Sequence, residues 1–177
     1  ELITNAPEEI PPTPEEIENK RIETAIKEKD ARAWRALGPR TGWPEKYLEA
    51  VKTPPHGKEW LMAQESARER VRMNGIVVLY GKRGGGKTRM AAELAFMVGS
   101  SQYRTAMRFF LEVRSTFRKG SERSEMEVID ELAKADLLIL DEIQERGETA
   151  FEDRLLTHVI DARYSAMKPT ILIANLA

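Results

Sequence analysis

The chain has 177 residues, of which 41% are hydrophobic and 32% are charged, and its formal net charge is -1. This length suits one α/β domain with a core and a short additional segment. The sequence has no cysteine, which excludes disulfides and thiolate metal sites and fits a reducing cytoplasm. No apolar run approaches the roughly 20 residues that span a bilayer, so we expect a cytoplasmic protein with no membrane partner.

The first 42 residues predict a segment separate from the main domain. Residues 1–18 carry six acids and no base, with prolines at positions 7, 11, 12 and 14. This composition is typical of extended or disordered chain. Residues 14–37 show helical spacing with a thin apolar stripe, which indicates a helix that binds a partner surface; a solvated helix is the alternative. We therefore assign residues 1–42 to an acidic, proline-rich tail and a helical partner-binding segment.

Residues 43–177 predict the main domain, because strands and helices alternate along them. Four apolar runs predict strands at residues 76–80, 106–111, 137–140 and 170–174. Helices are predicted at residues 87–98, 112–118, 124–135 and 151–167. A short segment at residues 45–51, the Pro54-Pro55 break and a helix at about residues 57–72 lead into the first strand. The alternation predicts a doubly wound α/β fold with an open parallel sheet.

The most specific motif follows the first predicted strand. Residues 81–88 match G-x-x-x-x-G-K-[ST] throughout, between an apolar strand and an amphipathic helix. The glycines let backbone N–H groups point at phosphate oxygens, and the helix adds its positive N-terminal end. Lys87 is predicted to reach the β and γ phosphates, and Thr88 to place its hydroxyl on Mg²⁺. A flexible glycine-rich turn is the alternative. We expect ATP or ADP to be bound by Gly81, Lys82, Arg83, Gly84, Gly85, Gly86, Lys87, Thr88 and Arg89.

The second motif, residues 136–142, is an apolar strand that ends in two acids. Asp141 is suited to hold Mg²⁺ through water, and Glu142 to orient and deprotonate the attacking water. A solvated turn is the alternative, but the loop at residues 81–88 favours the catalytic interpretation. The pair also favours a hydrolase over a protein that only binds nucleotide. Asn175, at the end of the fourth strand, is a candidate to contact the attacking water or the γ-phosphate; a turn residue is the alternative.

Together these residues resemble the AAA+ ATPases of the DnaC/IstB family, the bacterial and phage helicase loaders and their transposition-helper relatives. The resemblance runs from about residue 43 to residue 176 and is carried by residues 44–47, 61–72, 137–142, 161–164 and 169–176. It implies a P-loop NTPase fold in which the first strand lies between the fourth strand and a fifth. It also makes Asn175 the sensor of the γ-phosphate, a catalytic role beside Lys87 and Glu142, and places adenine contacts near Tyr47 and Val51.

Two departures from the family pattern affect what we expect of nucleotide binding and hydrolysis. Lys82 and Arg83 stand where the family usually has bulkier residues, often prolines; they are either phosphate or DNA ligands or solvated cations. The sequence stops shortly after Asn175, whereas the family's arginine finger and fifth strand come later. Arg154 and Arg163 are weak substitutes for that finger. Because such a finger contributes about 10³–10⁵ in rate in other NTPases, we expect nucleotide binding with weak hydrolysis.

A candidate surface for DNA lies between residues 98 and 120. This stretch contains five cations and a single acid, Glu112, and four aromatic residues are interleaved with the cations. Phosphate neutralisation together with base stacking is typical of single-strand binding. Phe109 and Phe110 are assigned to the second core strand, so the DNA candidates are Arg114, Phe117, Arg118 and Lys119. The alternative to a DNA contact is a solvated charged helix with Phe117 packed inward. By resemblance, this region lines a single-strand channel.

The leading hypothesis is an ATP-hydrolysing replicative helicase loader that acts in DNA replication. It would bind the replicative helicase through its N-terminal segment and single-stranded DNA through its ATPase domain, and ATP would drive its self-association into a ring or spiral. A transposition-helper ATPase on the same domain is the first alternative. A small-molecule or nucleotide kinase would need an arginine-rich lid and an acceptor pocket, which the sequence does not indicate. A nucleotide-gated module without hydrolysis is disfavoured by Glu142.

Overall fold

The computed structural model describes residues 13–51, 57–147 and 149–175. The sequence predicts extended or disordered chain over residues 1–18. Residues 1–12 of that stretch, the Pro54-Pro55 break and residue 176 lie outside the described residues, whereas residues 14–18 are helical, so the prediction is wrong for them. The chain divides into two compact units, residues 1–31 and 32–177. This division falls earlier in the chain than the boundary after residue 42 that the sequence predicts.

Helix α1, Pro14–Leu37, begins in the first unit, as the sequence predicts. Thr13 and Glu16 start it with a reciprocal pair of hydrogen bonds. The Thr13 N–H donates to the Glu16 carboxylate at 2.7 Å, and the Glu16 N–H donates to Thr13 Oγ1 at 3.2 Å. The backbone donor of Thr13 lowers the pKa of Glu16. Three apolar side chains on this part of the helix are exposed: Ile17, Ile22 and Ile26.

The second unit contains a four-stranded sheet flanked by helices. Its elements are α2 (Lys46–Ala50), α3 (Lys58–Arg72), β1 (Ile76–Gly81), α4 (Lys87–Val98), β2 (Gln102–Thr105), α5 (Ala106–Ser115), α6 (Glu125–Lys134), β3 (Leu138–Asp141), α7 (Ala150–Ser165) and β4 (Thr170–Asn175). Short 3-10 turns cover Pro39–Thr41 and Ile143–Glu145. No helix in the described part of the chain is long and apolar enough to cross a membrane.

All strand pairs are parallel, in the order β1-β4-β3-β2. The register places Gly81 opposite Asn175 and Thr105 opposite Asp141. Because parallel strands end at the same edge, the last residues of all four strands meet there, where α/β sheets bind ligands. The position of β1 beside β4 agrees with the order that the family resemblance implies.

The prediction for the second strand is wrong. The sequence predicts a strand at residues 106–111 and a helix at 112–118, whereas β2 ends at Thr105 and α5 follows at once. Thr105 caps that helix, because its Oγ1 accepts the Arg108 N–H at 3.2 Å. Phe109 and Phe110 are therefore buried helical residues and not strand residues. A short apolar run has no periodicity that separates a strand from a buried helix.

The two faces of the sheet bury separate clusters of apolar side chains. Ile139, Ile171 and Ile173 pack on one face with α3, α4 and the last turns of α1. Leu138 and Leu140 pack on the opposite face with α5, α6 and α7. Alternation with a period of two along the strands produces this division. The arrangement confirms the predicted parallel sheet covered by helices.

Arg163 on α7 is fully buried and joins this helix to the end of α6 and the start of β4. Its guanidinium donates to Thr170 Oγ1 at 2.9 Å and to four main-chain carbonyls, those of Leu132, Ala133, Ala135 and Pro169. Three of these carbonyls lie at the C-terminal end of α6, where helical acceptors lack partners. Burial lowers the pKa of Arg163 to about 10. The side chain therefore stabilises the domain and does not reach a neighbouring molecule.

Replacing Arg163 with methionine should strongly destabilise the domain. The substitution keeps an unbranched side chain but leaves several buried carbonyls without donors, each costing about 1–3 kcal/mol. We expect the free energy of unfolding, measured by urea denaturation, to fall by about 3 kcal/mol or more. Arg154→Met, on the exposed side of the same helix, should change it by less than about 0.5 kcal/mol. Equal urea midpoints for the Arg163 variant and the parent would contradict this role.

Candidate nucleotide site

The loop between β1 and α4 has the backbone of a phosphate-binding turn. Gly84 and Gly86 have φ of 84° and 78°, in the left-handed region that favours glycine. Gly86 also precedes the first turn of α4, so the backbone N–H groups of that turn point into the loop. A Cβ at Gly86 would lie 3.1 Å from Trp60 Nε1. Trp60 thus lies beside the loop, a position that its sequence context does not predict.

Lys87 folds back over the loop that precedes it. Its Nζ donates to the carbonyl oxygens of Gly81 at 2.9 Å and Lys82 at 2.7 Å. A phosphate oxygen is a stronger acceptor for an ammonium group than a neutral carbonyl oxygen is. The side chain is therefore held within the loop, where a phosphate group can take over its donors.

The carboxylate of Asp141 is the centre of the site. It is 4% exposed, and its Oδ2 accepts the hydroxyls of Thr88 at 2.8 Å and Tyr103 at 2.9 Å. Its Oδ1 accepts the Glu142 N–H at 2.7 Å. The fold thus brings Thr88 and Asp141, the two predicted metal residues, into direct contact. Tyr103 is a third member that the sequence reading did not assign to the site.

The oxygen ligands at this position fit Mg²⁺. A threonine hydroxyl and one carboxylate form the sparse protein ligand set that Mg²⁺ takes when phosphate and water complete its shell. Among the described residues, no group of three or more His, Cys, Asp or Glu side chains could hold a metal ion.

Glu142 adopts a left-handed backbone conformation, with φ of 55° and ψ of 40°. This conformation costs a non-glycine residue on the order of 1 kcal/mol and is often found at functional sites. It turns the chain directly after β3 into the 3-10 turn. There Gln144 Oε1 accepts the Asn175 N–H at 2.9 Å. Gln144, which the sequence does not predict as a site residue, therefore connects the end of β4 to the segment that carries Glu142.

The cations at the start of the loop lie at the surface. Lys82 and Arg83 are exposed, and the Arg83 guanidinium lies 3.6 Å from the Glu145 carboxylate. A pair this exposed contributes little to stability. Its geometric effect is to link the phosphate loop to the turn after Glu142.

The predicted adenine region lies next to α4. Arg89 Nη2 donates to the Ala50 carbonyl at 3.3 Å, which joins the end of α2 to the first turn of α4. Tyr47 is half-buried, with its ring edge against Trp43 and the Lys46 ammonium 5.1 Å from its centroid. The role of Tyr47 in adenine binding stays a prediction.

The four DNA candidates differ in their surroundings. Arg114, Arg118 and Lys119 are all exposed, and Arg114 also donates to the buried Glu152 carboxylate at 2.7 Å. Phe117 is 60% exposed, and its ring meets that of Phe151 edge to face at 5.9 Å. The alternative in which Phe117 packs inward therefore does not describe this structure.

One cation of the basic run belongs to the interior. Arg104 is buried and donates to the Glu112 and Glu131 carboxylates at 3.0 and 3.1 Å. Arg108 also pairs with Glu112, at 3.0 Å. The exposed basic surface is therefore smaller than the count of cations in the sequence indicates.

A family model described as IstB-like ATP binding protein matches residues 61–177, which include the phosphate loop and the Asp141-Glu142 pair. The chain belongs to the IstB-like ATP-binding protein family. Membership confirms the DnaC/IstB resemblance and indicates nucleotide binding. The chain is also 31% identical over 102 residues to the Escherichia coli strain K12 protein named replicative helicase loader DnaC, covering 55% of this chain and 41% of the relative.

A second relative also matches this chain over only part of its own length. The replicative helicase loader DnaC of a Buchnera aphidicola strain is 26% identical over 160 residues, covering 85% of this chain and 65% of the relative. This IstB-like chain thus spans less than two thirds of the length of the curated relatives it matches.

Solved structures share the fold of this IstB-like chain. The crystal structure of the DnaC helicase loader has a TM-score of 0.62 and 17% identity, covering 76% of this chain and 81% of that one. The replication initiator DnaA bound to AMPPCP and single-stranded DNA has a TM-score of 0.63 and 20% identity, covering 75% and 43%. At these identities the likeness confirms the AAA+ P-loop fold.

Replacing Lys87 with alanine should weaken the binding of magnesium ADP. A charged hydrogen bond contributes about 1.5–3 kcal/mol, so we expect the dissociation constant to rise by roughly 10- to 150-fold in titration calorimetry. Lys134→Ala is the control, because this exposed lysine pairs with Asp130 on α6. It should leave the affinity unchanged. Equal ADP affinities for the Lys87 variant and the parent would exclude this lysine as a phosphate ligand.

Proposed function

We propose that this chain is the ATPase part of a replicative helicase loader, which binds ATP with Mg²⁺, hydrolyses it, and binds both helicase and single-stranded DNA. The observation that carries the proposal is the direct contact between Thr88 and Asp141 at the edge where the phosphate loop, Glu142 and Asn175 also lie. The relatives named replicative helicase loader DnaC support the choice of process.

The site residues are suited to attack by water on the γ-phosphorus of ATP. Glu142 accepts the proton as the water oxygen bonds to phosphorus and the bond to the ADP oxygen breaks. Lys87 neutralises charge on the phosphate oxygens, and Asn175 contacts the γ-phosphate as the sensor. Mg²⁺, held by Thr88 and Asp141, would draw charge from the phosphate oxygens when bound.

Helix α1 is the proposed contact with the helicase. Ile17, Ile22 and Ile26 are 40%, 51% and 56% exposed, and apolar side chains of this kind are suited to the core of a protein interface. A transposition-helper protein of the same family would share the nucleotide site and differ in its partner. The choice of partner therefore separates the two functions.

The end of α5 and the residues after it are the proposed contact with single-stranded DNA. Phe117 offers an exposed ring for base stacking, and Arg118 and Lys119 offer charges for phosphate. Arg114 adds a third cation, whose guanidinium is oriented by the buried Glu152 carboxylate. Self-association with ATP would align several such surfaces along one strand.

The helicase proposal predicts that the chain and the replicative helicase of its own organism co-elute on a sizing column with ATP and Mg²⁺. Replacing both Ile22 and Ile26 with serine should abolish co-elution, because it removes exposed apolar contact area. Replacing both Glu18 and Lys29 with serine on the same helix is the control and should preserve it.

A second arm of the same experiment tests hydrolysis. Glu142→Gln removes the proposed base but keeps Asp141, so its complex with the helicase should persist during incubation with ATP while the parent complex dissociates. A parent that binds nucleotide but never co-elutes with the helicase would favour the transposition-helper function. Equal phosphate release by parent and Glu142→Gln would rule out this residue as the base.

The DNA surface predicts a measurable change in salt dependence. Replacing both Arg118 and Lys119 with glutamine should reduce the slope of log affinity against log salt for oligothymidine by about 1.4, or 0.7 per phosphate contact. Phe117→Ala should weaken binding by roughly 5- to 150-fold without changing the slope. Anisotropy of a labelled oligonucleotide across a salt series measures both effects.

The control for this experiment removes two exposed charges elsewhere, with Lys58→Gln and Lys134→Gln combined, and should leave the slope unchanged. Arg114 is left intact, because its loss would leave the buried Glu152 carboxylate without its charged partner and destabilise the fold. Identical slopes for both double variants would remove Arg118 and Lys119 from the DNA surface.

A further inference from the structure

The Tyr103 hydroxyl donates to the same Asp141 oxygen that accepts the Thr88 hydroxyl. Tyr103 pairs with Ile139 in the sheet register, so its side chain lies on the same face as that of Asp141, two residues further along β3. The tyrosine is 6% exposed. A tyrosine hydroxyl is protonated at neutral pH, so it can donate to this carboxylate.

The ring of Tyr103 stacks on the indole of Trp43, with centroids 4.4 Å apart and planes 27° apart. Trp43 Nε1 donates to Ser101 Oγ at 2.9 Å, and that hydroxyl donates to the Ala36 carbonyl at 2.6 Å. All of these groups are buried. A continuous series of contacts therefore joins the Asp141 carboxylate to the last turn of α1.

Asp141 depends on side-chain donors for its orientation. Thr88 comes from α4 and Tyr103 from β2, so they hold one carboxylate oxygen from different elements. Two side chains donate to Asp141, those of Thr88 and Tyr103. If the Thr88 oxygen also binds the metal, Tyr103 is the one of these two donors that is not a metal ligand. Loss of this donor would let the carboxylate occupy orientations that do not suit the metal.

We propose that Tyr103 is a positioning residue for the magnesium-binding carboxylate, and that Trp43, stacked on it, responds to magnesium at that site. The inference rests on the proposed function only in requiring that the chain bind ADP with Mg²⁺. It assigns to Tyr103 and Trp43 a role in carrying the occupancy of the metal site to the last turn of α1.

The first test is Tyr103→Phe, which keeps the ring and its stack but removes the hydroxyl. The dissociation constant for ADP in EDTA should stay within about twofold of the parent. The Mg²⁺ concentration that half-maximally tightens ADP binding should rise by about tenfold, the value of one charged hydrogen bond. Tyr164→Phe removes a hydroxyl from an exposed tyrosine on α7 and should change neither quantity.

An unchanged Mg²⁺ midpoint in Tyr103→Phe would overturn the positioning role. Weaker ADP binding in EDTA by the same factor would also overturn it, because the hydroxyl would then support the whole loop and not the metal residue. A parent chain that binds no ADP at all would refute the proposed function instead, so the two failures are distinguishable.

The second test uses tryptophan emission. Adding Mg²⁺ to the ADP-saturated chain should change the emission, and Trp43→Phe should remove most of that change. Trp34→Phe, which replaces an exposed indole on α1, should retain it. In Tyr103→Phe the change should appear only at the higher Mg²⁺ midpoint. A signal that survives intact in Trp43→Phe would overturn the coupling to this residue.

Discussion

The structure of the nucleotide site depends on one buried carboxylate. Asp141 ends a strand that is buried throughout, and burying an ionised carboxylate is unfavourable unless hydrogen bonds replace its water. Two hydroxyls and one backbone N–H supply those bonds, from α4, β2 and the turn after β3. Because Asp141 needs these hydrogen bonds, the start of α4, which carries Thr88, must lie beside the ends of β2 and β3. The phosphate loop, Thr88 and Asp141 are thus positioned by the same contacts.

Parallel register extends this arrangement to the rest of the site. Because all four strands end at one edge, Gly81 and Asn175 come to lie opposite each other without long connecting loops. The left-handed backbone at Glu142 then turns the chain so that Gln144 can hold the end of β4. A strained residue beside Asp141 is tolerated because these contacts on both sides hold it in place.

The sequence predicts those parts of the site whose chemistry is local. The loop at residues 81–88 and the Asp141-Glu142 pair need a fixed spacing along the chain, so a sequence pattern can locate them. The second strand is misplaced, because the apolar run at residues 106–111 fits a strand or a buried helix equally well. The contact between Tyr103 and Asp141 depends on the pairing of two strands. No local pattern encodes that pairing.

Burial also changes how the arginines must be interpreted. Arg104 and Arg163 look in sequence like surface cations, yet both are interior donors that stabilise the domain. The proposed DNA surface then carries three exposed cations, Arg114, Arg118 and Lys119, so one chain would neutralise few phosphates. At about 0.7 per contact, the salt slope for one chain would be only about 2, which is small for a strong DNA-binding protein. If this surface binds single-stranded DNA as proposed, tight binding would need several chains on one strand, since linked sites add affinity without new contacts. The proposed self-association with ATP and the proposed binding of single-stranded DNA would then be parts of one mechanism.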